Sequence, residues 1–145
     1  MEFSSSLPML LYKALDEVMP DYRTLFSEHG LTEQQWRVLR VLWDKAHLTP
    51  KEIATETLLP APSLVGILDR LEKKGLVTRL RSTSDRRQVH VKPTAAAIML
   101  QRQVMPKVAK INAANIDRLG EDDWAHLLRI LKKVQSKSIT KQQAS

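Results

Sequence analysis

One stretch of this chain departs from its helical rhythm, and that departure limits the fold more than any other feature. Apolar residues recur at three- and four-residue spacing along most of the sequence. Across 76–92 the period changes. There two β-prone runs, Leu76-Val77-Thr78-Arg79-Leu80 and Gln88-Val89-His90-Val91-Lys92, flank a polar, basic loop from Arg81 to Arg87. Alternating β-prone runs around such a loop signal a hairpin. The expected fold is therefore mainly α with a small β-hairpin wing.

The helices around it can be placed from their punctuation. Residues 7–28 carry Leu7, Leu10, Leu11, Leu15, Val18 and Met19 on one stripe, with Pro20 predicting a kink or break and Gly30 a C-terminal stop. Thr32-Glu33-Gln34-Gln35 fits a capping box ahead of Trp36, Leu39, Leu42 and Trp43, which predicts a helix to Asp44. Thr49-Pro50-Lys51-Glu52 fits a second box, opening a short helix from Pro50 to Thr57 that buries Ile53 and Ala54. After Leu59-Pro60-Ala61, Pro62 suits the first position of a helix carrying Leu64, Ile67, Leu68 and Leu71 to Lys74, where Gly75 stops it. Beyond the hairpin, Thr94 caps a long helix to Leu119, with a bend expected at Pro106. Glu121, Asp122 and Asp123 open a last helix, in which Trp124, Leu127, Leu128, Leu131 and Val134 form the stripe. The polar tail after Ser136 is expected to fray.

The order from 32 to 92 is helix, short helix, helix, hairpin, which is the order of a winged helix-turn-helix. The expected organisation is a helix over 1–30, the winged helix-turn-helix over 31–92, and further helices over 93–145. Such a motif suits DNA. A helix fits the major groove, where each base pair presents its own donor and acceptor pattern, and the second helix of the motif enters with its N-terminal residues at base edges. Those residues are Pro62, Ser63, Leu64, Gly66 and Ile67, with Arg70 one turn on. Ser63 can donate or accept, Gly66 permits close backbone approach, and Arg70 suits a phosphate or a guanine. An amphipathic core helix accounts for the apolar stripe but leaves Ser63, Gly66 and Arg70 unexplained.

Charge points the same way. The chain has 23 Lys and Arg against 16 Asp and Glu, a formal charge of +7, which favours a polyanionic partner. Arg79, Arg81, Arg86 and Arg87 cluster in the hairpin with Asp85 among them. A narrow minor groove attracts inserted arginines, and Asp85 can brace one through a bidentate pair. Thr49 and Ser84 complete the candidate DNA contacts. A solvated basic turn is the plainer account, and its place after a recognition helix weighs against it.

Other chemistry finds little support. The absence of cysteine excludes disulfides, thiolate catalysis and thiolate metal sites. His29, His47, His90 and His126 lie in separate segments without ligand spacing, and no phosphate loop or nucleophile motif appears. No enzyme activity, metal or cofactor is expected. No apolar run is long enough to span a bilayer and the start of the chain lacks a signal-peptide pattern, so a cytoplasmic protein is expected.

Residues 31–97 resemble the MarR family of bacterial regulators. The likeness runs through Leu31-Thr32-Glu33-Gln34-Gln35-Trp36, through Leu68-Asp69-Arg70-Leu71-Glu72-Lys73-Lys74-Gly75-Leu76-Val77, and on to Asp85-Arg86-Arg87. His29 to Val38 is also similar to the subgroup that regulates breakdown of homoprotocatechuate and related aromatics. The resemblance implies a homodimer in which the first and last two helices intertwine with a partner's. It also implies that one wing arginine enters the minor groove while an aspartate–arginine pair stiffens the wing. These roles fall on Arg86 and Arg87 with Asp85, either arginine in either role. The family often has Leu-Thr-x-x-Gly after the wing, where this chain has Pro93-Thr94-Ala95-Ala96-Ala97. Alanine forms helix better than glycine, so the following helix is expected to persist.

A dimer would present two recognition helices about 34–36 Å apart to an inverted-repeat operator in double-stranded DNA. The apolar terminal helices exceed what a small winged domain needs, although packing within one chain is the alternative. The resemblance further implies repression relieved by a small phenol or aromatic acid bound between the dimer helices and the winged domain. Candidates are Tyr22, Arg23, His29, Trp36 and Arg40. An arginine pairs bidentately with a carboxylate and Trp36 can stack on a ring. Equally, Trp36 can be core and Arg40 can be solvated or bridge to an acid. Two further readings stand beside this one: a winged-helix DNA-binding protein with no effector, and a protein-docking module, against which the arginine-rich wing argues.

Overall fold

The computed structural model describes residues 2–81 and 88–136. The chain divides into two compact units, residues 1–107 and 108–145.

In the first unit a single 3-10 turn, Phe3–Ser5, precedes α1 (Leu7–Glu28). α1 continues through Pro20, so of the kink or break expected there the break does not occur. Its missing N–H costs one bond to the carbonyl of Asp16, an exposed residue whose carbonyl water can satisfy. After the C-cap His29, Gly30 takes φ +65°, with its N–H bonded to Ser27 O at 3.0 Å and that of Leu31 to Phe26 O at 2.9 Å. This Schellman closure needs a left-handed residue, which glycine adopts without a Cβ penalty.

Both capping boxes form. Thr32 Oγ1 accepts from the Gln35 N–H that opens α2 (Glu33–Asp44), and Thr49 Oγ1 from the Glu52 N–H that opens α3 (Pro50–Thr57). The side chains of Gln35 and Glu52 accept in return from the N–H groups of Thr32 and Thr49. Ala54 in α3 is only half-buried, whereas Ile53 is fully buried.

The fourth helix, α4 (Ala61–Lys73), starts one residue before the expected Pro62, which occupies its second position. First-turn N–H groups have no intrahelical partner, so proline is harmless there too. Gly75, at φ +71°, closes α4 by the same Schellman pattern: its N–H bonds Glu72 O and that of Leu76 bonds Leu71 O. Because Leu76 is engaged in that closure, the hairpin begins one residue later than the alternation suggests.

The strands are β1 (Val77–Arg81) and β2 (Val89–Pro93), antiparallel, with Arg79 opposite Val91 and Arg81 opposite Val89. A further bridge, not anticipated from sequence, pairs Leu48 with Val91 through N–H···O bonds of 3.3 and 2.7 Å. Thr94 Oγ1 then receives the Ala97 N–H at 3.2 Å and donates to Gly75 O at 2.6 Å. That cap opens α5 (Ala95–Leu119), which continues unbroken past Pro106.

The core of this unit gathers Val38, Leu39 and Leu42 from α2, Ile53 from α3 and Leu64, Leu68 and Leu71 from α4. Val77 and Val91 from the hairpin, Ala97 and Val104 from α5, and Phe26 and Trp36 from α1 and α2 also belong to it. Each large side chain so buried contributes about 1.5–3 kcal/mol. Lys74 ties α4 to the turn before α2, donating to Gly30 O and to the buried Gln35 Oε1 at 2.8 Å.

The second unit contains the end of α5 from Val108, a bend at Gly120 with φ +85°, and α6 (Glu121–Gln135). Three acids in the first turn of α6 and Lys132 and Lys133 in its last complement the helix dipole. No residue of α6 is buried; Trp124 and Leu131 are half-buried. Among the described residues no helix is long and apolar enough to cross a membrane.

Candidate nucleic-acid interface

The link between α3 and α4 is held from three sides. Leu58 sits in the left-handed region at φ 59°, ψ 20°. The hydroxyl of Thr57 donates to Ile53 O at 2.6 Å, and the Arg37 guanidinium donates to Thr57 O. Leu59 is buried beneath the turn. This fixes the direction in which α4 leaves.

Along α4, Leu64, Ile67, Leu68 and Leu71 face the core. One residue expected at a base edge is therefore corrected: Leu64 is 2% exposed and packs inward, whereas Ile67, 7% exposed, is buried yet borders the recess on the outer side of the helix. Positions three and four apart share one helix face, so a side chain at the centre of the core stripe, such as Leu64, cannot also meet a groove. Pro62, Ser63 and Arg70 are exposed and Gly66 is half-buried. These four line one recess of about 460 Å³ together with Thr32 and Gln34 at the start of α2. Thr49 holds its cap position, its oxygen engaged by the Glu52 N–H.

Arg79 also departs from expectation. Its Nε donates to Glu72 Oε2 at 2.9 Å and its Nη2 to Asp69 Oδ1, so β1 is clamped to α4. The hydrogen bond to Glu72, then that to Asp69, raise its pKa above the ordinary arginine value, with partial desolvation opposing. A guanidinium so engaged stiffens the base of the hairpin, which the sequence reading did not assign to it. Arg81 is exposed at the end of β1. Ser84, Asp85, Arg86 and Arg87 lie outside the described residues.

Among the described residues the ligand candidates fall on different recesses, His29 on one, Arg23 on a second and Trp36 with Arg40 on a third. Trp36, 8% exposed, stacks on Phe26 at 4.6 Å and meets Trp43 edge-on at 5.5 Å. Half-buried Tyr22 lies 6.3 Å from Phe26. Trp36 thus belongs to an aromatic row in the core, and one edge of it reaches a recess of about 340 Å³ that Arg40 also lines. Arg40 pairs with Asp44 at 2.6 Å and Arg23 with Glu33 at 3.5 Å. His29 lines a different recess, of about 510 Å³, with Lys74, Leu76, Met99 and Leu100, and its Nε2 is 3.5 Å from Lys107 Nζ.

Sequence reasoning missed the anchoring roles of Arg37, Lys74 and Arg79. Each joins groups 7 to 44 positions apart, which periodicity cannot report. The spacing of Asp69 and Glu72, on one helix face ahead of Arg79, was the available signal for the last.

Comparison with known proteins places this geometry. The MarR family pattern matches residues 29–88. The chain is 32% identical over 130 residues to the HTH-type transcriptional regulator FarR of Neisseria gonorrhoeae, covering 90% of this chain and 89% of that protein. It is 33% identical over 103 residues to the homoprotocatechuate degradative operon repressor of Escherichia coli, covering 71% and 70%. Among solved structures, NadR in complex with 4-hydroxyphenylacetate aligns with a TM-score of 0.82 at 30% identity, over 95% of this chain and 98% of that one. The transcriptional repressor CouR bound to a 23-mer DNA duplex aligns with a TM-score of 0.84 at 30% identity, over 92% and 95%. Its helix-turn-helix, its hairpin and its likeness along most of its length agree: the chain belongs to the MarR family of winged-helix, DNA-binding transcriptional regulators.

Proposed function

We propose that the chain is a cytoplasmic repressor that binds an inverted-repeat operator as a homodimer and releases it on binding a small aromatic or phenolic carboxylate. The observation that carries DNA reading is the outward side of α4, where Pro62, Ser63, Gly66 and Arg70 share one recess beside a hairpin clamped to the same helix by Arg79. Residues 31–92 form the DNA-binding part in this reading, with Thr49 and Arg81 beside the phosphates and Ser84, Asp85, Arg86 and Arg87 at the minor groove.

Segments 1–30 and 93–145 form the dimer in this reading. Support comes from the apolar residues that α1 and α6 leave exposed: Leu7, Leu10, Leu11 and Leu15 on one, Leu127, Leu128, Ile130 and Val134 on the other. Scattered apolar residues are normal on a surface, but stripes of this length mark interfaces.

The effector rests on the 4-hydroxyphenylacetate in the NadR structure and on the name of the homoprotocatechuate repressor. Arg40, Arg23 and His29 supply cations for its carboxylate, and Tyr22 and Trp36 aromatic surface. A second reading, a DNA-binding protein with no effector, is favoured by the ion pairs that already occupy Arg23 and Arg40 and by the place of Trp36 in the core.

One experiment tests both. Duplexes selected by the protein from a random-sequence library are titrated at several salt concentrations, then with a panel of aromatic acids including 4-hydroxyphenylacetate. The expected results are an inverted repeat, a steep loss of affinity with salt from counterion release, and dissociation by at least one acid. Operator binding that no acid shifts favours the second reading. Arg86→Ala and Arg87→Ala are each expected to weaken operator binding and leave the dimer folded; unchanged affinity in both overturns the wing assignment.

A further inference from the structure

We propose that Val65 reads a thymine through its C5 methyl group and so sets the base preferred at one position of each half-site. The inference rests on α4 entering the major groove.

Val65 is 59% exposed, while its neighbour Leu64 and the branched side chains Ile67, Leu68 and Leu71 of the same helix are buried. Helix propensity does not explain a valine there, since β-branching disfavours helix. Val65 borders a recess with Ala54, Ala61, Leu68 and Arg79, and most of its side chain stays open to contact from outside. Its surroundings suit an apolar contact. Three residues earlier is exposed Pro62, which continues the same face without a charge. Four residues later is Asp69, whose carboxylate would repel phosphates but is engaged by Arg79. The row from Pro62 through Val65 to Asp69 thus presents carbon first and a neutralised acid last. Ser63, Gly66 and Arg70 occupy the adjoining row and, with Pro62, line a recess whose lining does not include Val65.

The thymine C5 methyl is the one apolar group that a base pair displays in the major groove. A branched aliphatic side chain gains from covering it and gains nothing from a cytosine edge. Removing one buried methyl corresponds to a loss of about three- to fivefold in affinity.

The test uses the full-length protein and the operator it selects from a random duplex library. Each thymine is replaced singly by deoxyuridine, which removes the methyl and keeps the hydrogen-bonding edge. The wild-type protein is expected to lose about three- to fivefold at one thymine per half-site. Val65→Ala is expected to bind the thymine operator weaker by a similar factor and to be indifferent to deoxyuridine at that position alone. Thermal melting, expected to be unchanged or higher because alanine is the better helix former, checks that the variant is folded. A Val65→Ala protein that keeps the full deoxyuridine penalty everywhere, or a wild type with no methyl-sensitive thymine, overturns the inference and leaves groove reading by α4 standing. A library that yields no enriched sequence overturns that reading and this inference with it.

Discussion

The guanidinium of Arg79 joins β1 to two carboxylates one turn apart on α4, and the geometry of that fork is what a lysine cannot copy. Because the ion pairs are partly exposed, Arg79→Ala is expected to cost no more than about 1 kcal/mol in a urea melt. Its effect on operator affinity is expected to be larger, about tenfold, because the hairpin is no longer held against the helix that shares its DNA. Arg79→Lys is expected to recover little of it. The sign of the pKa shift says how the clamp responds to pH. A raised arginine pKa stabilises the folded state at every pH below the ordinary arginine value and is lost only above the raised one. Operator binding measured from about pH 6 to 9 is therefore expected to owe none of its pH dependence to this residue. The one sequence signal for Arg79 was the pair Asp69 and Glu72 on a single helix face; which of the four arginines meets that pair depends on tertiary placement. Leu64 was a different case: its spacing with Leu68 and Leu71 already placed it on the core face, and only proximity to Ser63 suggested otherwise.

Helix boundaries were the most legible part of the fold, because they are written in local chemistry. Thr32 with Gln35, Thr49 with Glu52, and the glycines at 30 and 75 each act within six residues of their own backbone. Thr49→Ala is expected to lower stability by about 1 kcal/mol, read from chemical denaturation. Neither proline ends its helix, for a physical reason: a helix of 22 or 25 residues tolerates one missing bond when water takes the orphaned carbonyl. At the α3–α4 turn the opposite substitution is informative. Leu58 is 83% exposed and left-handed, so its side chain contributes little packing while its Cβ is strained. Leu58→Gly is expected to raise the denaturation midpoint, by up to about 1 kcal/mol in stability.

For the whole molecule, the fold class and the order of elements followed from period and punctuation, whereas association did not. The exposed leucines of α1 and α6 read as stripes in the sequence and remain uncovered in the single chain. If they pair with a second copy, Leu11→Glu combined with Leu128→Glu is expected to give a monomer by sedimentation and to weaken operator binding by more than tenfold, since the two half-sites no longer share one ligand. A variant that stays dimeric would place the interface elsewhere.

The reciprocal hydrogen bonds between Leu48 and Val91 carry a consequence for local opening. They make the segment just before α3 a second partner of β2, so the base of the hairpin cannot peel away without also releasing the start of the helix-turn-helix. The two are therefore expected to open as a single foldon. The amides of Leu48 and Val91 are expected to exchange with deuterium at one common rate close to that of global unfolding. Faster exchange at Val91 alone would mean that the hairpin opens as a separate unit, and that the arginines it carries meet DNA on a mobile arm.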